Sequence, residues 1–340
     1  MSEIKVNSIK GVGATDAAIT VNNSDGTCTG NISNRPNYNL LINGQFDVWQ
    51  RATTSGSTTS SGYNSADRWR FEASGATYTA SQQAFDFGQT DVPSSPKYYL
   101  RFNATTANDN CGVTQRIEDV ASVQGQHTLS FWAKGTNPAG GSIQVTILQY
   151  FGSGGSADVG GAIGTFSLSS SWAKKTFTFT PTSISGKTIG SGSLFKISLR
   201  QPSADDTTTA WTLDLANVKL EAGSKATDYQ RINYGDELIR CKRYFEIIKP
   251  NYYNLGRFDN SNGQAFNFIQ FQVTKRNPPT ASTAGTFRSS QGSSGNISFD
   301  STTVDGASIY TSNTTGVNGI LYILDDVGDG SLMLKFNAEL

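Results

Sequence analysis

The chain carries one histidine, His127, in the run QGQHTLSFW. A serine or cysteine nucleophile needs an imidazole or an equivalent base beside it, and no GxSxG elbow occurs. His127 therefore reads as a structural or solvent-facing residue at the start of a strand. One histidine and three widely spaced cysteines, Cys28, Cys111 and Cys241, leave no zinc-ligand set. Glycoside hydrolysis asks for less: a pair of acids flanking one bond. The adjacent acidic pairs are Glu118-Asp119, Asp205-Asp206 and Asp325-Asp326. Neighbours on a strand point to opposite faces, so an adjacent pair is poorly placed to flank a glycosidic bond. Asp205-Asp206 reads as part of a PSADDTTT loop, and Asp325-Asp326 with Asp329 as a hairpin turn, DDVGDG. The glycine-rich FGSGGS lacks a following Lys-Ser or Lys-Thr, so it is no phosphate cradle.

Binding chemistry fits better. Sugars are held by aromatic platforms beside hydrogen-bonding side chains on an open sheet face or in loops. Ile143, Val145 and Ile147 alternate with Gln144 and Thr146, and Phe195, Ile197 and Leu199 alternate with Lys196, Ser198 and Arg200. A strand side chain repeats its face every second residue. Gln144, Thr146, Tyr150, Lys196, Ser198 and Arg200 are thus expected on the faces away from the core, as glycan-binding candidates or as surface covered by a second sheet or a neighbouring subunit. Tyr63 and Tyr78, placed near loops, are further candidates for stacking a sugar ring.

The elements that must position these residues are strands. Glycine is abundant, with 35 residues, and Ser, Thr and Asn dominate the polar set, the composition of an all-β chain rich in turns. At 340 residues more than one unit is expected. Residues 39–51, NLLINGQFDVWQR, open a domain as a strand that bends at Asn43-Gly44 and then lays down Phe46 and Trp49. All 5 tryptophans, Trp49, Trp69, Trp132, Trp172 and Trp211, lie between Pro36 and Ala222. That places one tryptophan-rich sandwich core over residues 37–230.

Residues 1–36 have short alternating pieces around Ile4, Val6 and Ile9, then Ile19 and Val21, without an aromatic anchor. They read as an arm for docking or oligomerisation, or as a disordered leader. Residues 231–340 read as a smaller β domain carrying one helix. Leu238, Cys241, Phe245 and Ile248 recur at helical spacing, Asp236 and Glu237 suit the first turn, and Pro250 stops it. Strands are expected at 265–274, 296–299, 307–311, 319–324 and 332–340, with Leu332, Leu334, Phe336, Ala338 and Leu340 on one face.

Basic and acidic residues balance at 27 each. Neutralising phosphates needs a basic face, so nucleic acid is an unexpected partner, as is a membrane that recruits by charge. No apolar leader opens the sequence and no run of about eighteen apolar residues occurs, so synthesis and folding in a reducing cytoplasm are expected.

The segments NLLINGQFDVWQRA, ADRWRF, GQTDVPSSPKYYLRF, QRIEDV, LSFWAKG, SISGKTIG, LANVKLEAGSKATDYQ, GDELIRCKRYFE and the terminal KFNAEL resemble a family of tailed-bacteriophage tail fibre proteins. In that family the middle of the chain is similar to the jelly-roll carbohydrate-binding modules attached to glycoside hydrolases. The resemblance implies a non-enzymatic virion protein: an N-terminal arm docked to other tail proteins, a homotrimer, and attachment to host-surface polysaccharide. It also implies a structural calcium shared by Asp47, just after the NGxF turn, and Asp214, near the start of the domain's last strand. Calcium takes six to eight oxygens, so backbone carbonyls and water would complete the shell. Surface or hydrogen-bonded aspartates are the other reading of these two. Two other classes stay open: a purely structural tail connector or capsid appendage, and a polysaccharide depolymerase.

Overall fold

The computed structural model describes residues 7–10, 12, 17–21, 24, 28–30, 38–106, 108, 110–202, 209–249, 254–259, 264–285, 287–289, 294–295, 297–312, 321–326 and 332–340. Near the N-terminus β1 (Ser8–Ile9), β2 (Ile19–Val21) and β3 (Cys28–Gly30) form a small antiparallel sheet in that order. The sandwich follows with β4 (Trp69–Glu72), β5 (Thr77–Ala84), β6 (Tyr98–Thr106), β7 (Gly112–Glu118) and β8 (His127–Thr136). It continues with β9 (Ile143–Tyr150), β10 (Val159–Phe166), β11 (Ala173–Phe179), β12 (Leu194–Arg200) and β13 (Trp211–Ala222). These ten strands divide into a first sheet, β10-β9-β12-β7-β4, and a second, β11-β8-β13-β6-β5. Apart from the hairpins β5-β6 and β9-β10, each within one sheet, successive strands cross from sheet to sheet, as in a jelly roll.

Period-two patterning decides which way each strand faces. On β8, Leu129, Phe131 and Ala133 are buried in the core while Ser130, Trp132 and Lys134 point the other way. On β12, Phe195, Ile197 and Leu199 enter the same core. Phe71, Tyr78 and Phe102 pack ring against ring at its centre, with Tyr78 and Phe102 stacked at 5.1 Å and Trp211 at 5.3 Å from Phe102. Full burial of each such side chain contributes about 1.5–3 kcal/mol, and a ring pair about 0.5–1.5 kcal/mol more.

The opening stretch lies along β13 without joining its ladder: Leu40 donates to the Leu220 carbonyl at 2.9 Å and Val218 to that of Gly44 at 2.8 Å. Asn43 makes the bend with φ at 57°. Its side chain donates to the carbonyls of Val48 and Asp67 and accepts from the Val48 amide, and its carbonyl takes the Trp69 indole N–H at 3.0 Å. A Cβ on Gly44 would sit 2.1 Å from the Val218 carbonyl oxygen, so only glycine fits against β13. Phe46 is buried against Trp69, 5.1 Å between rings, whereas Trp49 is half-buried. Leu41, not Leu40 or Ile42, enters the core.

The C-terminal part begins with α1 (Tyr234–Lys242) and then β14 (Phe245–Ile248), β15 (Asn254–Asp259), β16 (Gln264–Gln270) and β17 (Thr280–Ala284). It ends with β18 (Phe287–Ser289), β19 (Ser294–Gly295), β20 (Ile297–Thr302), β21 (Gly306–Ser312), β22 (Leu321–Asp326) and β23 (Met333–Asn337). A three-stranded sheet, β14-β23-β17, accompanies one of seven, β19-β18-β22-β15-β16-β21-β20. The helix is shorter than its apolar spacing predicts. Phe245 and Ile248 belong to β14, because Ile247-Ile248 is β-branched and pairs with β23, Phe245 opposite Asn337. Glu237 in the first turn is buried and its carboxylate accepts the Asn43 amide, which ties α1 to the opening bend. Leu332, Leu334, Phe336 and Ala338 face one core, as the alternation requires.

One buried cation joins the two β units. Arg68, with 1% of its side chain exposed, pairs with Glu339, donates to the Arg116 carbonyl at 2.6 Å and stacks 3.5 Å over Tyr244. Arg51 stacks 3.6 Å over Phe245 and lies 3.4 Å from Glu339. The Leu340 carbonyl accepts from Tyr63 at 3.2 Å and Arg116 at 2.6 Å.

Candidate functional site

The outer face of the first sheet is a polar trough. Strand register sets Ala162, Thr146, Ser198, Thr114 and Arg70 in one row across the five strands. One row to one side holds Leu148, Lys196 and Arg116; on the other side stand Gln144, Arg200, Gly112 and Glu72. Thr146, Ser198 and Thr114 are only 7%, 4% and 0% exposed although they face away from the core. They are short side chains between two rows of long ones, and so form a floor. The walls stand roughly 13 Å apart, twice the two-residue repeat of a strand. The floor carries hydroxyls: Thr114 donates to Ser198 at 2.9 Å. Tyr150, 36% exposed, stands on the same face at the end marked by Leu194 and Glu118.

Charge is uneven here. Arg70 pairs with Glu72. Glu118 accepts from Arg243 at 2.9 Å and from the Tyr244 hydroxyl at 3.0 Å, which commits it to the C-terminal part. Lys196 is held below its usual pKa by burial, with Arg116, Arg200 and Arg70 acting in the same direction and Glu72 opposing. Arg200 is lowered by burial, again against Glu72. Arg200 reaches the Gln144 amide oxygen at 3.4 Å, and its Nε is buried with no acceptor among the described residues. The arrangement can hydrogen-bond a polyhydroxylated chain laid across the strands. Among the described residues it presents no pair of opposed acids.

Three of the residues singled out from sequence, Gln144, Tyr150 and Arg200, share this face, with Thr146, Lys196 and Ser198. Tyr63 and Tyr78 do not. Tyr78 is fully buried; its hydroxyl donates to the Ser60 carbonyl at 2.9 Å and burial pushes it up to about 12. Ala76 and Ala80, in phase with it and equally buried, were the signal that it faces inward. Tyr63 holds the Leu340 carbonyl, and burial likewise raises it to about 12.

The two calcium candidates do not fit an ion. Asp214 gives both oxygens to the Arg101 guanidinium, at 2.7 and 2.8 Å, so a cation already fills its coordination. Asp47 lines a separate groove with Lys97 and Arg231, and burial raises its carboxyl while those two cations lower it. The β13 residue opposite the bend is Val218, not Asp214. Among the described residues no group of three or more His, Cys, Asp or Glu side chains converges. His127 is buried with its Nδ1 3.1 Å from the Gly125 carbonyl, a structural place. Asp119 caps the short helix Val120–Ser122, accepting from Ala121. Asp325 and Asp326 are in β22, not a turn, while Asp205, Asp206 and Asp329 fall outside the described residues.

Sequence reasoning missed an aromatic cluster on the outer face of the second sheet. Trp132 and Trp172, expected in the core, are half-buried there with Phe85 and Tyr99; Trp172 meets Tyr99 edge-on at 5.2 Å under Lys134. The signal was present, since Phe131 and Ala133 in the core send Trp132 the other way.

The fold is a jelly-roll β-sandwich joined to a second β unit with one α-helix among the described residues. Residues 38–192 match the family model of the carbohydrate binding domain. No curated protein matches the chain. Among solved structures, one described as CBM4 is 21% identical and covers 53% of this chain and 97% of its own, with a TM-score of 0.30. The CBM22-1 xylan-binding domain of Paenibacillus barcinonensis Xyn10C is 10% identical, covers 56% and 99%, and scores 0.31. The enzymatically active domain of bacteriophage CBA120 tailspike protein 4 is 14% identical, covers 42% of this chain and 19% of that one, and scores 0.26.

Proposed function

We propose that this chain is a non-enzymatic glycan-binding protein of a bacteriophage tail, a tail fibre that attaches the particle to host-surface polysaccharide. The observation that carries the reading is the match of residues 38–192 to the carbohydrate binding domain, over β4, β7, β9 and β10, four of the five strands that build the trough. In this reading residues 37–230 hold the sugar, residues 231–340 brace the sandwich through Arg68, and residues 1–36 dock to other virion proteins. The order of the sequence segments that resemble tail fibres supports the placement in a virion. A homotrimer would repeat the trough around one axis, and linked sites gain avidity without any new contact per site.

The test is an array of bacterial surface polysaccharides probed with the purified full chain, followed by competition with free oligosaccharide. Competable binding is expected, together with no release of reducing ends from the bound polymer. Absence of binding across the array would favour a purely structural tail component. Release of reducing ends that disappears when one carboxylate is substituted would overturn the non-enzymatic reading.

A further inference from the structure

The trough's charge is the feature that sugar hydroxyls alone do not explain. Four cations, Arg70, Arg116, Lys196 and Arg200, stand on this face against two carboxylates, Glu72 and Glu118. Both carboxylates are already engaged, Glu72 by Arg70 and Glu118 by Arg243. Arg116 is engaged too, through the Leu340 carbonyl. Two cations remain, one on each wall. Lys196 has no hydrogen-bond or ion-pair partner among the described residues, and Arg200 has only the 3.4 Å contact to Gln144. They lie four residues apart on β12 with Ser198 between them, so an occupant resting on the floor passes between an ammonium and a guanidinium. Neutral sugars give these groups nothing that water does not. A carboxylate accepts charge-assisted hydrogen bonds, and arginine presents a planar fork for both of its oxygens. Burial lowers the proton affinity of both Lys196 and Arg200, and the carboxylate that acts on them, Glu72, is shared with its own ion-pair partner Arg70.

We infer that the trough selects acidic polysaccharide, with Lys196 on one wall and Arg200 on the other each positioned to receive a uronic-acid carboxylate while the Thr146, Ser198 and Thr114 row meets sugar hydroxyls. This rests on the glycan-binding reading above and narrows it to one substrate class. Arg200 would swing off Gln144 to pair with the ligand, which also gives its buried Nε an acceptor.

The experiment uses the full chain and matched probes: polygalacturonate, alginate and hyaluronan, each beside its carboxyl-reduced form, which keeps the backbone and replaces every carboxylate with a primary alcohol. Neutral xylan and β-glucan complete the panel. At least one acidic polymer is expected to bind tenfold or more tighter than its reduced form, with affinity falling as salt rises from 50 to 500 mM. Lys196→Gln and Arg200→Gln should each bring the two affinities together, and Arg200→Lys should keep part of the preference. Urea midpoints measured on each variant separate a binding loss from an unfolded protein, and the wild-type salt titration needs no variant. Equal binding of acidic and reduced forms, or a preference for neutral xylan or β-glucan, would overturn the inference and leave the glycan-binding reading standing. Binding to none of the probes, acidic or neutral, would count against both.

Discussion

Replacing Arg68 with methionine tests the joint between the two β units. The guanidinium is buried at 1% exposure, with its charge met by Glu339, itself 4% exposed, and its plane resting 3.5 Å from Tyr244. Breaking a buried pair from one side strands the partner and destabilises by about 3–5 kcal/mol. Arg51 still lies 3.4 Å from Glu339 and methionine keeps contact with Tyr244, so the lower part of that range, about 3–4 kcal/mol, is expected. Urea unfolding followed by tryptophan fluorescence reads the change, because all 5 tryptophans lie in the sandwich and report its loss. The double variant Arg68→Met with Glu339→Leu should recover most of the deficit, since an apolar pair of similar volume often replaces a buried ion pair without loss. A single variant within about 0.5 kcal/mol of wild type, the ordinary range for a surface change, would refute the role given to Arg68. So would a double variant as unstable as the sum of the singles.

Three further outcomes follow from local geometry. Gly44→Ala places a methyl 2.1 Å from the Val218 carbonyl oxygen, where backbone must yield, and should lower stability by about 1–3 kcal/mol in the same urea assay. Asp67, raised to about 7 by burial despite Arg51, stays protonated in the fold while the unfolded chain ionises near pH 4. The stability it contributes is complete below the unfolded pKa and is lost as pH rises towards 7, at up to about 1.4 kcal/mol per pH unit; Asp67→Asn should flatten that slope in urea titrations at pH 4.5 and 7. Because Arg101 already occupies Asp214, EDTA followed by added calcium should leave Tm unchanged, and a calcium-dependent rise in Tm that Asp214→Asn abolishes would show that the guanidinium yields to the ion.

Faces of strands were legible from sequence; distant partners were not. Phe195, Ile197 and Leu199 alternate strictly with Lys196, Ser198 and Arg200, and that alone places the trough residues correctly. The same rule applied to Leu213 and Leu215 turns Asp214 outward, but nothing local says that Arg101 of the adjoining strand meets it. Phe245 and Ile248 continue the helical spacing of Leu238 and Cys241, and pairing with β23, nearly a hundred residues on, makes them a strand instead. Tyr63 looked available because its partner, the Leu340 carbonyl, lies 277 residues away. The trough's charge was likewise hidden: Arg70, Arg116 and Glu72 come from strands whose register with β12 the sequence does not state.

The most direct measurement is calorimetric titration of the best polysaccharide from the array into three proteins: wild type, Ser198→Leu, which fills the trough floor without touching the core, and Trp132→Ala on the opposite sheet. With the trough as the site, Ser198→Leu loses tenfold or more in affinity while its urea transition still shows a folded protein, and Trp132→Ala binds as wild type does. Binding that survives in Ser198→Leu and disappears in Trp132→Ala would contradict the account and move the site to the aromatic face of the second sheet.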